Sequence, residues 1–124
     1  MQRSFRLTRS EDFKRVRRDG KSYAHPLIVL IAQTNNQSRV RVGVAAGKTV
    51  GTAVTRNRTK RLLREAMRTL IPGIALRHAQ DNASGSDLIL IARPALASAS
   101  LADTQRALQN LLQRARILTP KHES

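Results

Sequence analysis

The feature that most constrains this chain is the run from Thr52 to Leu70, in which six cations recur at helical spacing beside a single acid, Glu65. Wound at about 100° per residue, Arg56, Lys60, Arg61, Arg64 and Arg68 fall within an arc of roughly 140° that also holds Asn57. Leu62, Leu63, Ala66, Met67 and Leu70 are expected on the opposite side, against the body of the domain. A solvated helix normally mixes signs so that side chains one turn apart can pair. A stripe of one sign therefore implies that something anionic lies against it. Thr52 is the expected N-cap, with Gly51 supplying the turn before it. Because the apolar stripe begins only near Leu62, the first half of the helix has little to bury and much to present. Its free N–H groups, the bidentate grip of arginine and the paired donor and acceptor of asparagine all suit phosphate. A flat membrane fits less well, since the narrow apolar stripe carries no Trp or Phe.

The rest of the composition agrees. Lysine and arginine total 23 against 8 acids, giving a net charge of +15 and a pI near 11.9, a self-repulsion best relieved by a polyanion. The 124 residues suffice for one compact core, so a single domain over 1–124 is expected, with loose termini at 1–9 and 119–124. Phe5 and Leu7 are the expected anchors of the first segment. With no cysteine, neither a disulfide framework nor a thiolate zinc site is available, and a reducing cytoplasm is the expected location. No apolar run approaches the length of a membrane span, and the first residues lack the apolar stretch of a secretory signal. One Tyr, two Phe and no Trp argue against a broad aromatic platform for stacking bases.

Taken in order, Ser10 reads as the cap of a short helix to about Arg18, with Glu11 and Asp12 in its first turn and Phe13 and Val16 on one face. Strands are expected around Ser22 to Ala24, from Leu27 to Ala32 and from Arg39 to Ala45. The polar cluster 35–38 should turn the second strand into an antiparallel third. In that third strand Val40, Val42 and Val44 share one face, which leaves Arg41 on the other, expected on a basic surface near the long helix. Pro72 and Gly73 end that helix, and a mobile polar loop is expected within 73–86. Leu88 to Ala92 is a short, continuous apolar run and reads as a buried strand. Ser100, with Asp103 three residues on, caps a last helix to about Leu118, expected to bury Leu101, Leu108, Leu111, Leu112 and Ala115. The order predicts an α+β fold, a two-layer αβββαβα sandwich with a mostly antiparallel four-stranded sheet.

Catalytic constellations are missing from this pattern. Cutting RNA unaided calls for clustered carboxylates holding metals, or histidines paired for acid–base work. The acids are scattered, Glu11 and Asp12 are explained by their helix terminus, and His25, His78 and His122 fall in a strand approach, a loop and a tail. Gly47-Lys48-Thr49 is not a nucleotide loop, because Gly43 and Gly47 are three residues apart where a phosphate loop needs four. Lys48 is expected instead as a phosphate contact beside the basic helix. The chain reads as a nucleic-acid binder with no catalytic residue, metal site or nucleotide cofactor of its own.

Arg56-Asn57-Arg58, followed by Lys60-Arg61-Leu62-Leu63-Arg64-Glu65-Ala66 and set after the segment Arg41 to Gly51, resembles the RNR helix of the bacterial ribonuclease P protein subunit. The resemblance extends over residues 5–118. It implies an accessory subunit of a catalytic RNA that removes the 5′ leader of precursor tRNA with Mg²⁺ ions held by the RNA. It also implies a left-handed βαβ crossover through the basic helix, in a fold shared with the second domain of a small-subunit ribosomal protein. By position, Arg56, Asn57, Arg58, Lys60, Arg61 and Arg64 match the helix that touches the catalytic RNA, and Lys48 and Arg68 extend that surface. Phe13, Tyr23 and Arg41 match a leader-binding cleft between the first helix and the sheet. Arg17 stands where the family often has a second aromatic, Ile31 where it often has another, and Gly47-Lys48-Thr49 where Ser-Lys-Lys is usual. The competing expectation from composition alone is a structural ribosomal or RNA-chaperone protein with no part in cleavage.

Overall fold

The computed structural model describes residues 5–37, 39–80 and 85–118, and for 77–80 the backbone only. Helix α1 (Ser10–Asp19) leads to strands β1 (Lys21–Ala24), β2 (Ile28–Thr34) and β3 (Val40–Ala46). Helices α2 (Ala53–Arg68) and α3 (Ile71–Gln80) precede β4 (Ser86–Ala92), and α4 (Leu101–Arg114) follows it. The sheet order is β1-β2-β4-β3, with β4 antiparallel to β2 and parallel to β3.

One face of the sheet presents Ile28, Leu30, Val40, Val42, Leu88 and Leu90 to Leu63, Ala66 and Met67 of α2, Ile71 and Ile74 of α3, and Leu108, Leu111 and Leu112 of α4. This is the main core, where each fully buried aliphatic side chain is worth about 1.5–3 kcal/mol over exposure. On the opposite face Ile31 and Ile89 meet Leu7 and Val16, with Phe13, Val29 and Ile91 around them. Apolar cover on both faces explains why β2 and β4 read as continuous apolar runs without alternation.

Several local expectations are corrected. Strands β2 and β3 do not form a hairpin, because β4 lies between them. The turn after β2 clasps the start of β4 instead: Asn35 N donates to Gly85 O (2.9 Å), Gly85 N to Gln37 O (3.0 Å) and Ser86 N to Arg39 O (3.2 Å). Gly85 is required there, since a Cβ would sit 2.0 Å from Arg39 O and 2.1 Å from Gln37 O. The expected loop over 73–86 is shortened by α3, which carries Pro72 and Gly73 in its first turn, where a missing N–H costs no helical bond. Residues 81–84 of that loop lie outside the described residues. Ser10 is the first residue of α1 and not its cap. The capping position is Arg9, with no side-chain bond. Leu7 anchors the first segment as expected: it is buried and its N–H donates to Val42 O (2.9 Å), while Arg6, Thr8 and Arg9 beside it are exposed. The expected tail 119–124 lies outside the described residues.

Candidate nucleic-acid interface

Helix α2 begins as its sequence prescribes, with Thr52 Oγ1 accepting from Thr55 N (3.3 Å). Thr59, Leu63, Ala66 and Met67 are its buried side chains. Met67, however, lies only about 20° from Arg56 on the helical wheel, inside the cationic arc and not opposite it. The burial pattern follows this geometry. Arg56, Lys60 and Arg64 are half-buried along the flank beside Met67, whereas Asn57, Arg58, Arg61 and Arg68 are exposed. Arg56 Nε is shut away from solvent with no hydrogen-bond partner, a state that costs on the order of 1–3 kcal/mol. Lys48, exposed in the 3-10 turn before α2, adds a cation at the helix N-terminus.

Ion pairing divides the cations of the fold. Arg68 is held by Glu65 (2.7 Å), Arg18 by Asp19 (2.9 Å) and Arg106 by Asp103. Among the described residues, Arg56, Arg58, Lys60, Arg61 and Arg64 have no acidic partner. Arg64 faces a like charge: burial first, and then the charge of Arg6, lower its pKa from the usual arginine value. The fold thus leaves five cations of α2 without an acidic partner, while Glu65, the acid of that helix, is spent on Arg68 at its end.

Arg64 also joins two surfaces. It lines a recess of about 210 Å³ with Arg6, Leu7, Thr8, Phe13, Val42, Gly43 and Val44, where the sheet face under α1 meets the flank of α2. A Cβ on Gly43 would lie 2.4 Å from Phe13 Cζ, so the missing side chain lets the ring settle on the strand. Arg17 is exposed one turn after Phe13.

The other two expected cleft residues lie elsewhere. Tyr23 pairs with Leu30 and packs against the main core, so the sheet separates it from Phe13. Arg41 is on the α1 face and not beside α2, and its guanidinium is committed. It donates to Asp87 through Nε (2.9 Å) and Nη2 (2.8 Å), and its Nη1 lies 3.7 Å from Asp12. Arg15 donates to Asp87 (2.8 Å), to Asp12 (3.0 Å) and to Gln33, and Asn35 Nδ2 donates to Asp87 (2.7 Å).

Asp87 is fully buried. Burial alone would raise its pKa, but the bonds from Arg41, Arg15 and Asn35 outweigh that and hold it below the ordinary aspartate value of 3.8. This cluster ties α1 to β2, β3 and β4. Sequence reasoning missed it, although a lone acid heading an apolar strand is a signal, since a buried charge needs partners.

Among the described residues no side chains are grouped as a hydrolytic centre would need. Among the described residues no three histidines or acids are placed to hold a metal ion, and His25 Nδ1 accepts from Leu27 N (3.1 Å) within a turn. Among the described residues no helix is long and apolar enough to cross a membrane.

Comparison with known proteins agrees with this geometry. The profile of the family described as Ribonuclease P matches residues 1–116. The chain is 41% identical over 117 residues to the ribonuclease P protein component of Herpetosiphon aurantiacus, covering 94% of this chain and 89% of that one. It is 39% identical over 123 residues to the Dehalococcoides mccartyi protein of the same name, covering 99% and 94%. Among solved structures, the RNase P protein of Staphylococcus aureus superposes with a TM-score of 0.77 at 27% identity, over 93% of this chain and 98% of that one. The RNase P protein of Thermotoga maritima superposes with a TM-score of 0.73 at 27% identity, over 88% and 98%. A helix with five cations that have no acidic partner, the absence of a metal-binding cluster among the described residues and these relatives converge on one conclusion: the chain belongs to the ribonuclease P protein family.

Proposed function

We propose that the chain lays α2 against the catalytic RNA of ribonuclease P and holds the 5′ leader of precursor tRNA in the cleft between α1 and the sheet. The single observation that carries this reading is the run of cations on one helix, Arg56, Arg58, Lys60, Arg61 and Arg64, none of which has an acidic partner among the described residues. Lys48, Arg56, Asn57, Arg58, Lys60, Arg61 and Arg64 form the RNA-facing surface, with Arg68 at its end where Glu65 partly offsets it. The chemistry of cleavage is the RNA's, with magnesium ions held by RNA. The protein's part is to screen phosphate repulsion and to position the leader.

Leaders differ in sequence, so they are best held by phosphate charge and a stacking face that accepts any base. Phe13 supplies the face, and Arg6, Arg17 and Arg64 supply charge around it. Arg41 serves this cleft indirectly by fixing α1 to the sheet, and Tyr23 belongs to the core side. The reading is favoured over a structural ribosomal or chaperone role because every relative named above is a ribonuclease P protein.

The test is reconstitution with catalytic RNA at low magnesium. Adding the protein should speed removal of a 5′ leader and tighten binding of precursor more than of mature tRNA, while protein alone leaves both intact. Cleavage by protein free of RNA, or equal tightening of precursor and mature tRNA, would overturn it.

A further inference from the structure

The last helix was expected to bury Leu101, yet Leu101 is 40% exposed, and the reason lies across from it on α2. Leu101 and Leu62 line a shallow groove of about 300 Å³ whose remaining walls are Arg58, Arg61 and Glu65. Glu65 is already covered by Arg68 (2.7 Å), so the rim carries two unneutralised guanidiniums. Val54, 76% exposed, continues the same ridge one turn before Arg58, at about 160° on the wheel between Arg61 and Arg58. Apolar side chains held in water between unpaired arginines are costly for a free protein, and they suit a ligand that is flat and apolar with anionic flanks.

We infer that the Leu62–Leu101 groove is a nucleobase site: an unpaired nucleotide of the catalytic RNA inserts its base against Leu62 and Leu101 while the phosphates on either side lie on Arg58 and Arg61. The inference rests on the placement of α2 against that RNA. The occupant is RNA because the rim charge complements phosphate and because the groove is continuous with the exposed ridge of α2. A protein segment would have to bring acids to the same two arginines. The contact adds a non-electrostatic component to a surface otherwise made of charge, so it holds at salt concentrations that weaken phosphate contacts.

The experiment measures affinity of the full chain for the catalytic RNA across a salt series. Leu101→Ala should weaken binding about threefold to tenfold, by loss of buried apolar contact, while the slope of affinity against salt stays that of the parent. The chain contains no tryptophan, so Leu101→Trp places one reporter at the groove, and its emission should be quenched as RNA saturates. Unchanged affinity for Leu101→Ala together with unquenched emission from Leu101→Trp would overturn the site. A parallel Arg58→Ala, Arg61→Ala chain separates the two readings: reduced affinity and salt slope there, with no effect at Leu101, removes the base site alone, whereas no effect in any of these chains removes the placement of α2 as well.

Discussion

At the scale of single residues, the strongest electrostatic commitment in the fold is made by Asp87, which no motif marks. Replacing it by Asn leaves Arg41 and Arg15 facing a neutral amide in a largely buried site, a change of the kind that costs about 3–5 kcal/mol. Urea unfolding of Asp87→Asn should show that loss. Because the folded pKa of Asp87 lies below 3.8, its contribution is complete above the ordinary aspartate range and is lost as pH falls through the depressed value. Stability of the parent should therefore fall more steeply between pH 5 and about pH 2 than that of Asp87→Asn, and parallel curves would contradict the assignment. Gly43 makes a separate prediction. A methyl group there meets the Phe13 ring at 2.4 and 2.8 Å, and the ring, being partly exposed, is able to tilt away. Gly43→Ala should keep most of the stability while weakening binding of precursor relative to mature tRNA in the reconstituted enzyme. Loss of both in equal measure would mean that Phe13 is only a core anchor.

At the scale of elements, what was legible followed from period and capping. The basic helix with its Thr52 cap, the last helix with its Ser100 cap, where Ser100 Oγ accepts from Asp103 N (3.0 Å), and the buried β4 all stand where local chemistry puts them. What was not legible depends on contacts distant in sequence. The insertion of β4 between β2 and β3 is fixed by the Gly85 clasp, and a polar turn after β2 looks the same whether it closes a hairpin or grips a third strand. Helix α3 was masked by Pro72 and Gly73, which stop a helix when they follow it and are tolerated when they begin one. The cationic stripe was read as wholly opposite the core because Met67 was placed with the leucines, whereas its angle puts it beside Arg56. Tyr23 was assigned to the cleft by its position in the family resemblance, but strand register decides its face, and Leu30 opposite it points to the main core. Gly85→Ala tests the clasp: the clash is with backbone oxygens, which cannot swing aside, so stability should fall by about 2 kcal/mol or more. Parent-like unfolding would show that the turn tolerates a side chain.

At the scale of the whole molecule, a net charge of +15 is distributed unevenly in its consequences. Arg15, Arg18 and Arg41 are spent on Asp87, Asp12 and Asp19, whereas Arg56, Arg58, Lys60, Arg61 and Arg64 of α2 have no acidic partner among the described residues. The domain leaves charge unpaired along one helix while it buries apolar side chains on both faces of its sheet, a division that suits an accessory to a catalytic RNA. That division is tested most directly by the salt dependence of affinity for the catalytic RNA, measured for the parent and for a chain with Arg56→Ala, Arg58→Ala and Arg61→Ala together. With three phosphate contacts removed, the log–log slope should shrink by about 2–3, and affinity should fall while thermal stability stays close to the parent's. An unchanged slope and affinity would mean that the cations of α2 face only water, contradicting the account at its centre.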